Sequence, residues 1–178
     1  MKDLVKFCQT LPDSPKIIRE WLAINGVKET PGPGNNPIIM GWIQELGKTF
    51  LWIKDDATAW CSIAACIVAK RAGKDVSMIT ASAMSWTAFG DPVNKDKAVL
   101  GDMMVFTRKG GGHIGTLVAI SDTSYYIFGG NQGDKVCITR MPKERLHSVR
   151  RPKYDIGMPK GCKQYFINDM GEISTNEQ

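Results

Sequence analysis

The sequence has few cysteines, no long apolar run and no hydrophobic leader, and each shortage excludes a class of protein. Only five of the 178 residues are cysteines, and their scattered spacing contains no CxxC pair. Neither a disulfide framework nor a structural zinc site is therefore expected. No apolar run approaches the roughly 20 residues of a membrane span, so no transmembrane segment is expected. Charged residues interrupt 1–7, so we predict no signal peptide and synthesis in the cytoplasm.

The overall composition is that of one folded domain. Hydrophobic residues make up 43% of the chain, which at this length is enough for a substantial core. We assign 1–165 to a single domain and the polar stretch 166–178 to a C-terminal tail that frays. The sequence contains no internal repeat and no linker long enough to divide it, and a monomer is expected.

The net charge of +5 comes with a basic C-terminal region. Its cations are Arg140, Lys143, Arg145, Arg150, Arg151, Lys153, Lys160 and Lys163. Such a group is typical of a solvated face, and it also attracts polyanions. The chain has neither a platform of alternating aromatics nor a nucleic-acid motif, so no specific nucleic acid is expected. The anionic envelope of a bacterium, with its phosphates and carboxylates, suits this charge equally well.

Helical patterns come first along the chain and strand patterns second. The spacing of apolar residues predicts helices in 14–24, 38–46, 61–72 and 82–88. Four β-rich runs, separated by glycine or polar turns, follow at 102–108, 113–121, 125–128 and 135–140. This order predicts an α+β fold in which N-terminal helices pack on an antiparallel sheet.

Cys61 lies where a nucleophile would be placed, at the start of the third predicted helix. A buried, inert thiol is the commonest fate of a cysteine. At a helix start, however, unpaired backbone N–H groups stabilise a thiolate. The same groups can bind the oxyanion of a tetrahedral intermediate, so Cys61 is a candidate nucleophile.

His113 and Asn131 complete a set of parts for thiol catalysis. His113 follows three glycines at the start of a predicted strand, whereas the only other histidine, His147, lies among charged residues. His113 is therefore the candidate general base. Asn131 lies in a glycine-rich segment that could also be a plain hairpin turn. As a functional residue it would hold the second imidazole nitrogen of His113, while its neighbour Gln132 would contribute to the oxyanion site or cap the turn.

Four more residues are candidates for contacts with substrate or oxyanion. Asp56 is expected to cap or orient the loop before the helix, because adjacent aspartates do not form the carboxylate pair of a glycosidase. Trp60 either lines a cleft or packs in the core, and the cleft wall is favoured. Ser62 and Glu29 complete the candidates, and we expect neither a metal nor a cofactor.

These residues belong to an ordered series of short motifs. The series comprises Glu29-Thr30, Asn36-Pro37-Ile38, Asp56, Trp60-Cys61-Ser62, Gly101-Asp102, Val105-Phe106, Gly112-His113-Ile114-Gly115, Gly129-Gly130-Asn131-Gln132 and Arg150-Arg151-Pro152. In this order they resemble the CHAP/NlpC-type superfamily of cysteine peptidoglycan hydrolases, in particular its compact phage and prophage subgroup with a WCS…GHxG…GGNQ pattern. The resemblance runs from about residue 20 to about residue 152. Gly129 departs from it where many CHAP enzymes carry an acidic residue, and so does Ala59, where proline is common.

The resemblance implies a fold and an activity. The fold would be papain-like, with the cysteine helix packed on an antiparallel sheet. The activity would be cleavage of an amide bond in peptidoglycan, either as a stem-peptide or cross-bridge endopeptidase or as an N-acetylmuramoyl-L-alanine amidase. Cys61 matches the nucleophile, His113 the base and Asn131 the orienting residue.

The biological setting implied is a phage endolysin or a virion-associated lysin. Made in the host cytoplasm, it would act on the cell wall after release or delivery. Two alternatives remain in other settings: a secreted interbacterial amidase effector, and a non-catalytic wall-binding or virion structural module on the same fold. A thiol hydrolase or transferase that acts on another amide or thioester is a third.

Overall fold

Four α-helices form the N-terminal part of the computed structural model, which describes residues 1–174. They are α1 (Lys2–Thr10), α2 (Lys16–Ile24), α3 (Pro37–Leu46) and α4 (Cys61–Arg71). Local chemistry sets their ends. At α3, the Asn36 side chain accepts a hydrogen bond from the N–H of Ile38, and Pro37 occupies the first turn. After α4, Gly73 adopts a φ of 78°, a conformation that favours glycine.

Six antiparallel strands follow. They are β1 (Asp91–Val93), β2 (Met103–Arg108), β3 (Gly111–Ile120), β4 (Ser124–Gly129), β5 (Cys137–Pro142) and β6 (Leu146–Arg151), in the spatial order β1-β6-β2-β3-β4-β5. Short 3₁₀ helices lie before β1 at Ala83–Ala88, between β1 and β2 at Lys95–Lys97, and between β5 and β6 at Lys143–Arg145. The fold is therefore α+β, as the sequence predicts.

The sheet separates two hydrophobic cores. On one face the helices pack on the sheet, and α4, buried from Cys61 to Ala69, contacts both β3 and β4. A hydrogen bond of 2.7 Å from the Trp21 indole to the Thr116 hydroxyl also joins α2 to β3. The second core, around Phe106, Ile127 and Met141, lies among side chains of the sheet itself. Strand β3 thus contributes to both cores and lies under the helix that carries Cys61.

Several elements differ from the sequence prediction. Helix α1 and the strands β1 and β6 were not predicted, and the predicted helix at 82–88 is a 3₁₀ helix of six residues, which is long for that conformation. None of the helices in the described residues is long and apolar enough to cross a membrane.

The predicted C-terminal tail is bound to the sheet over the part that the structure describes. Phe166 bridges Ile120 at the end of β3, and Ile173 bridges Arg140 on the edge strand β5. The N–H of Ser174 donates to the Arg140 carbonyl at 2.9 Å. The expected fraying is therefore wrong for 166–174, because this segment satisfies backbone groups of the sheet. The rest of the predicted tail, 175–178, lies outside the described residues.

Candidate active site

Cys61 is the first residue of α4, and backbone N–H groups surround its sulfur. The N–H groups of Ile114 on β3, of Ser62 and of Cys61 itself lie close enough to the sulfur to lower the pKa of the thiol. Burial raises the pKa of the Cys61 thiol, while the Ile114 N–H and the charge of Arg108 act in the opposite direction. Burial is the largest of these effects, so the pKa of the Cys61 thiol is raised overall.

Strand β3 carries both the candidate histidine and the Ile114 N–H that lies near the thiol. Its pairing with β4 begins at Thr116, opposite Phe128, whereas its pairing with β2 extends to Gly111. The residues of β3 that precede Thr116 are therefore not paired with β4. His113, next to Ile114, lies in this stretch and is completely buried. The start of α4 thus meets β3 at the residue pair that supplies an imidazole and a backbone donor.

The imidazole of His113 is held by Gln132. The ring atom Nε2 lies 3.0 Å from Oε1 of Gln132. The sequence assigned this role to Asn131, and the structure shows a contact with Nε2 from its neighbour Gln132. Asn131 is buried too, but its backbone adopts a left-handed φ of 56°. Because the chain turns there, it is the next side chain that meets the ring.

The orientation of the Gln132 amide fixes the histidine tautomer. Its Nε2 donates to the carbonyl oxygens of Ile127, Gly129 and Cys137, and its Oε1 also accepts from the Thr139 hydroxyl. Carbonyl oxygens only accept, so the NH₂ end must face them and the oxygen must face the imidazole. In the neutral ring the proton therefore lies on Nε2, and Nδ1 has the lone pair of a base.

Two glycines allow this close packing. A Cβ on Gly130 would lie 2.5 Å from Cβ of Ala64 and 2.9 Å from the Trp60 ring. A Cβ on Gly129 would lie 2.9 Å from Oε1 of Gln132. Gly129, where many CHAP enzymes carry an acidic residue, thus leaves space for the Gln132 amide. That amide lies next to the His113 imidazole.

Trp60 is a core residue and not a cleft wall. Its side chain is completely buried and packs on Trp42, with 6.2 Å between ring centroids. Its indole N–H donates to the Glu29 carboxylate at 3.2 Å. Burial raises the pKa of Glu29, with a smaller opposing effect of that hydrogen bond. The favoured interpretation of Trp60 is therefore wrong, and Glu29 anchors its indole.

Asp56 and Ser62 hold the segments that flank Cys61. The Asp56 carboxylate accepts from the backbone N–H of Thr30 at 2.9 Å and from that of Asn36 at 2.7 Å. It is thereby the expected orienting residue, tying the 30–36 loop to the start of α4. The Ser62 hydroxyl donates to the Thr80 carbonyl at 2.6 Å and accepts from the Trp86 indole. That hydroxyl is committed to the core, and only the Ser62 backbone faces the sulfur.

The arginines of the basic C-terminal region are largely used inside the fold. Arg151 binds the buried Asp102 carboxylate through two hydrogen bonds, and Arg150 donates to the carbonyls of Phe89 and Gly90. Arg140 makes a salt bridge of 3.0 Å with Asp169. These guanidinium groups brace the sheet, so any attraction to an anionic envelope depends on the exposed lysines of this region.

Two contributions to the site have no signal in the sequence. Ile114 acts through its backbone N–H, which any residue except proline would supply. Arg108 acts through its charge at the end of β2, from a position that reads as an ordinary strand terminus.

A search of family models and a search of curated proteins both found no match to this chain.

Proposed function

We propose that this chain is a cysteine peptidoglycan hydrolase with a papain-like arrangement, as the CHAP/NlpC-type resemblance implies. The observation that carries the proposal is the junction of α4 with β3. There the Cys61 sulfur receives the Ile114 N–H, and the adjacent His113 has its Nε2–H bound by Gln132. A thiol beside backbone donors, and a base in the required tautomer on the neighbouring residue of β3, support this proposal.

In the acylation step Nδ1 of His113 takes the proton of the Cys61 thiol. The sulfur attacks the carbonyl carbon of the substrate amide, and the resulting oxyanion is held by the N–H groups at the start of α4 and at Ile114. The C–N bond then breaks as His113 returns the proton to the leaving amine. This leaves a thioester between Cys61 and the acyl group.

In the deacylation step a water molecule replaces the amine. His113 takes a proton from the water as its oxygen attacks the thioester carbonyl, and the C–S bond then breaks as His113 returns that proton to the sulfur, which restores the thiol. Gln132 keeps the proton on Nε2 throughout and is a positioning residue. Because Cys61 is only 3% exposed, substrate must displace atoms packed around the sulfur before it reacts.

The test is release of soluble fragments from purified sacculi by the full-length protein. Wild type is expected to release them, and Cys61→Ala is expected to lose essentially all release while it keeps the wild-type melting temperature. His147→Ala is the matched control for His113→Ala, since only His113 contacts Gln132. Mass spectrometry of the fragments then identifies the amide that is cleaved.

Two results would contradict the proposal. Equal release by wild type and Cys61→Ala would exclude the thiol as the nucleophile. Binding to sacculi without any release by wild type would instead favour a non-catalytic wall-binding module.

A further inference from the structure

Trp52 is the one tryptophan of this chain that reaches the surface. The other four, Trp21, Trp42, Trp60 and Trp86, are at most 2% exposed, whereas Trp52 is 62% exposed. Its ring is nevertheless fixed, because its indole N–H donates to the Thr49 carbonyl at 3.1 Å. An exposed, fixed indole offers a flat apolar surface that costs little conformational entropy when a ligand binds.

Trp52 borders a surface cavity of about 520 Å³ with an unusual composition. None of its lining residues carries a charge, although the protein has a net charge of +5. Hydroxyl-bearing residues line it, namely Thr49, Thr58, Thr80 and Ser82, together with the methyl groups of Ala59 and Ala81. One aromatic plane, several hydroxyls and small methyl groups suit a neutral ligand that is polar at its edge and apolar on its face.

The cavity walls are joined to the start of the cysteine helix. Ala59 precedes Cys61 by two residues, so their Cα atoms are at most about 7 Å apart. On the other wall, the carbonyl of Thr80 accepts the hydrogen bond from Ser62 in the first turn of α4. The loop at Thr58 is itself fixed, since its N–H and hydroxyl both bind the Asp55 carboxylate. A ligand here would contact the loop that leads into the cysteine helix.

We propose that this cavity binds a neutral N-acetylhexosamine ring, and that it positions the glycan next to the amide to be cleaved. The apolar face of the sugar would stack on Trp52, its hydroxyls would bond to the threonine and serine side chains, and its acetyl methyl would contact the alanines. The sugar-binding site stands on the cavity alone. Its part in positioning substrate rests on the proposed hydrolase function.

The binding test uses Cys61→Ala protein and tri-N-acetylchitotriose, so that no cleavage intervenes. Because the other tryptophans are buried, a saturable change in indole emission and protection from acrylamide quenching would report on Trp52. Titration calorimetry gives the affinity independently of the fluorophore. Trp52→Ala is expected to weaken binding at least tenfold, and Trp52→Phe to keep part of it. Phe166→Ala is the control, since Phe166 is also exposed but lies outside the cavity lining.

A second measurement separates this inference from the proposed function. On sacculi, Trp52→Ala in the otherwise wild-type chain is expected to raise KM about tenfold and to change kcat much less. Binding of the trisaccharide by a protein that cleaves nothing would refute the hydrolase and leave the sugar site standing. Equal affinity of wild type and Trp52→Ala for the trisaccharide, or no binding by either, would overturn the sugar site even if sacculi are cleaved.

Discussion

The Nε2 atom of His113 and the Oε1 atom of Gln132 lie 3.0 Å apart, and both side chains are buried. This bond leaves the lone pair of the neutral imidazole on Nδ1. Gln132→Ala is therefore expected to lower kcat on peptidoglycan by about 10²-fold, within the usual contribution of general acid–base catalysis, with little change in KM. Nitrogen NMR of the imidazole should show the Nε2–H tautomer in wild type and a mixture in the variant.

Asn131→Gly is the control for this prediction. Glycine accepts the left-handed backbone at this position without strain. The kcat of Asn131→Gly is expected to stay close to that of wild type. A loss as large as that of Gln132→Ala would return the positioning role to Asn131.

The contact between Gly130 and the cysteine helix predicts a steric effect. A Cβ at Gly130 would lie 2.5 Å from Cβ of Ala64, one turn after Cys61. Gly130→Ala should therefore lower the free energy of unfolding by about 1–3 kcal/mol, as overpacking does, and should reduce activity by displacing α4. Chemical denaturation measures the first effect and fragment release the second.

The matched control is Gly41→Ala within α3, where a Cβ would meet nothing within 4 Å. Alanine in a helix interior is expected to raise stability there by about 0.5–1 kcal/mol. Equal stability of the two variants would show that the approach of Gly130 to α4 is unimportant.

The buried thiols predict that the fold weakens at alkaline pH. Burial raises the pKa of both Cys8 and Cys66 to about 12. Their stabilising contribution is complete below the pKa of an unfolded cysteine, near 9, and is lost as pH rises from there towards 12. Over that range each thiol should remove about 1.4 kcal/mol of unfolding free energy per pH unit.

Urea denaturation between pH 9 and pH 11 measures this slope. The unfolding free energy of Cys66→Ala is expected to fall less steeply with pH than that of wild type, by the contribution of one thiol. An unchanged slope in that variant would mean that Cys66 ionises as readily in the folded protein as in the unfolded chain.

The ion pair between Arg151 and Asp102 predicts a structural role for part of the basic region. Two hydrogen bonds, of 2.9 and 2.7 Å, join the guanidinium to a carboxylate that is almost completely buried. Arg151→Met leaves that carboxylate without its partner and should cost about 3–5 kcal/mol of stability. Lys163→Met removes the same charge at an exposed position and should change stability little. If both variants lose only sacculus binding and no stability, the arginine serves the envelope and not the fold.

The parts of the fold that follow local patterns were predictable, and those that depend on packing were not. The start of α4 at Cys61 and the change from helices to antiparallel strands follow from apolar spacing and glycine positions. Strand β6 was missed because its arginines suggest a solvated surface, while in the fold they bond to Asp102 and to backbone carbonyls.

The elements that carry the candidate site residues were predictable, but their side-chain contacts were not. Cys61 begins α4 and His113 lies on β3, whereas the contact of the imidazole with Gln132 depends on the direction of a side chain that follows a left-handed turn. Trp60 is buried because α3 places Trp42 against it. Trp52 escaped notice because exposure is a tertiary property that its neighbours in sequence do not reveal.

His113 and Ile114 are consecutive residues of β3, so the direction of the imidazole and the direction of the Ile114 N–H are set together. Along a strand, consecutive side chains point to opposite faces, and consecutive N–H groups point to opposite edges. His113 pairs with Phe106 of the second core, so a slip of the β2–β3 pairing by one residue would turn the imidazole to the helix-covered face and aim the Ile114 N–H away from Cys61. The number of residues between His113 and Thr116 is thus fixed. The hairpin loop before Gly111, in contrast, can be lengthened or shortened without moving the imidazole or the Ile114 N–H.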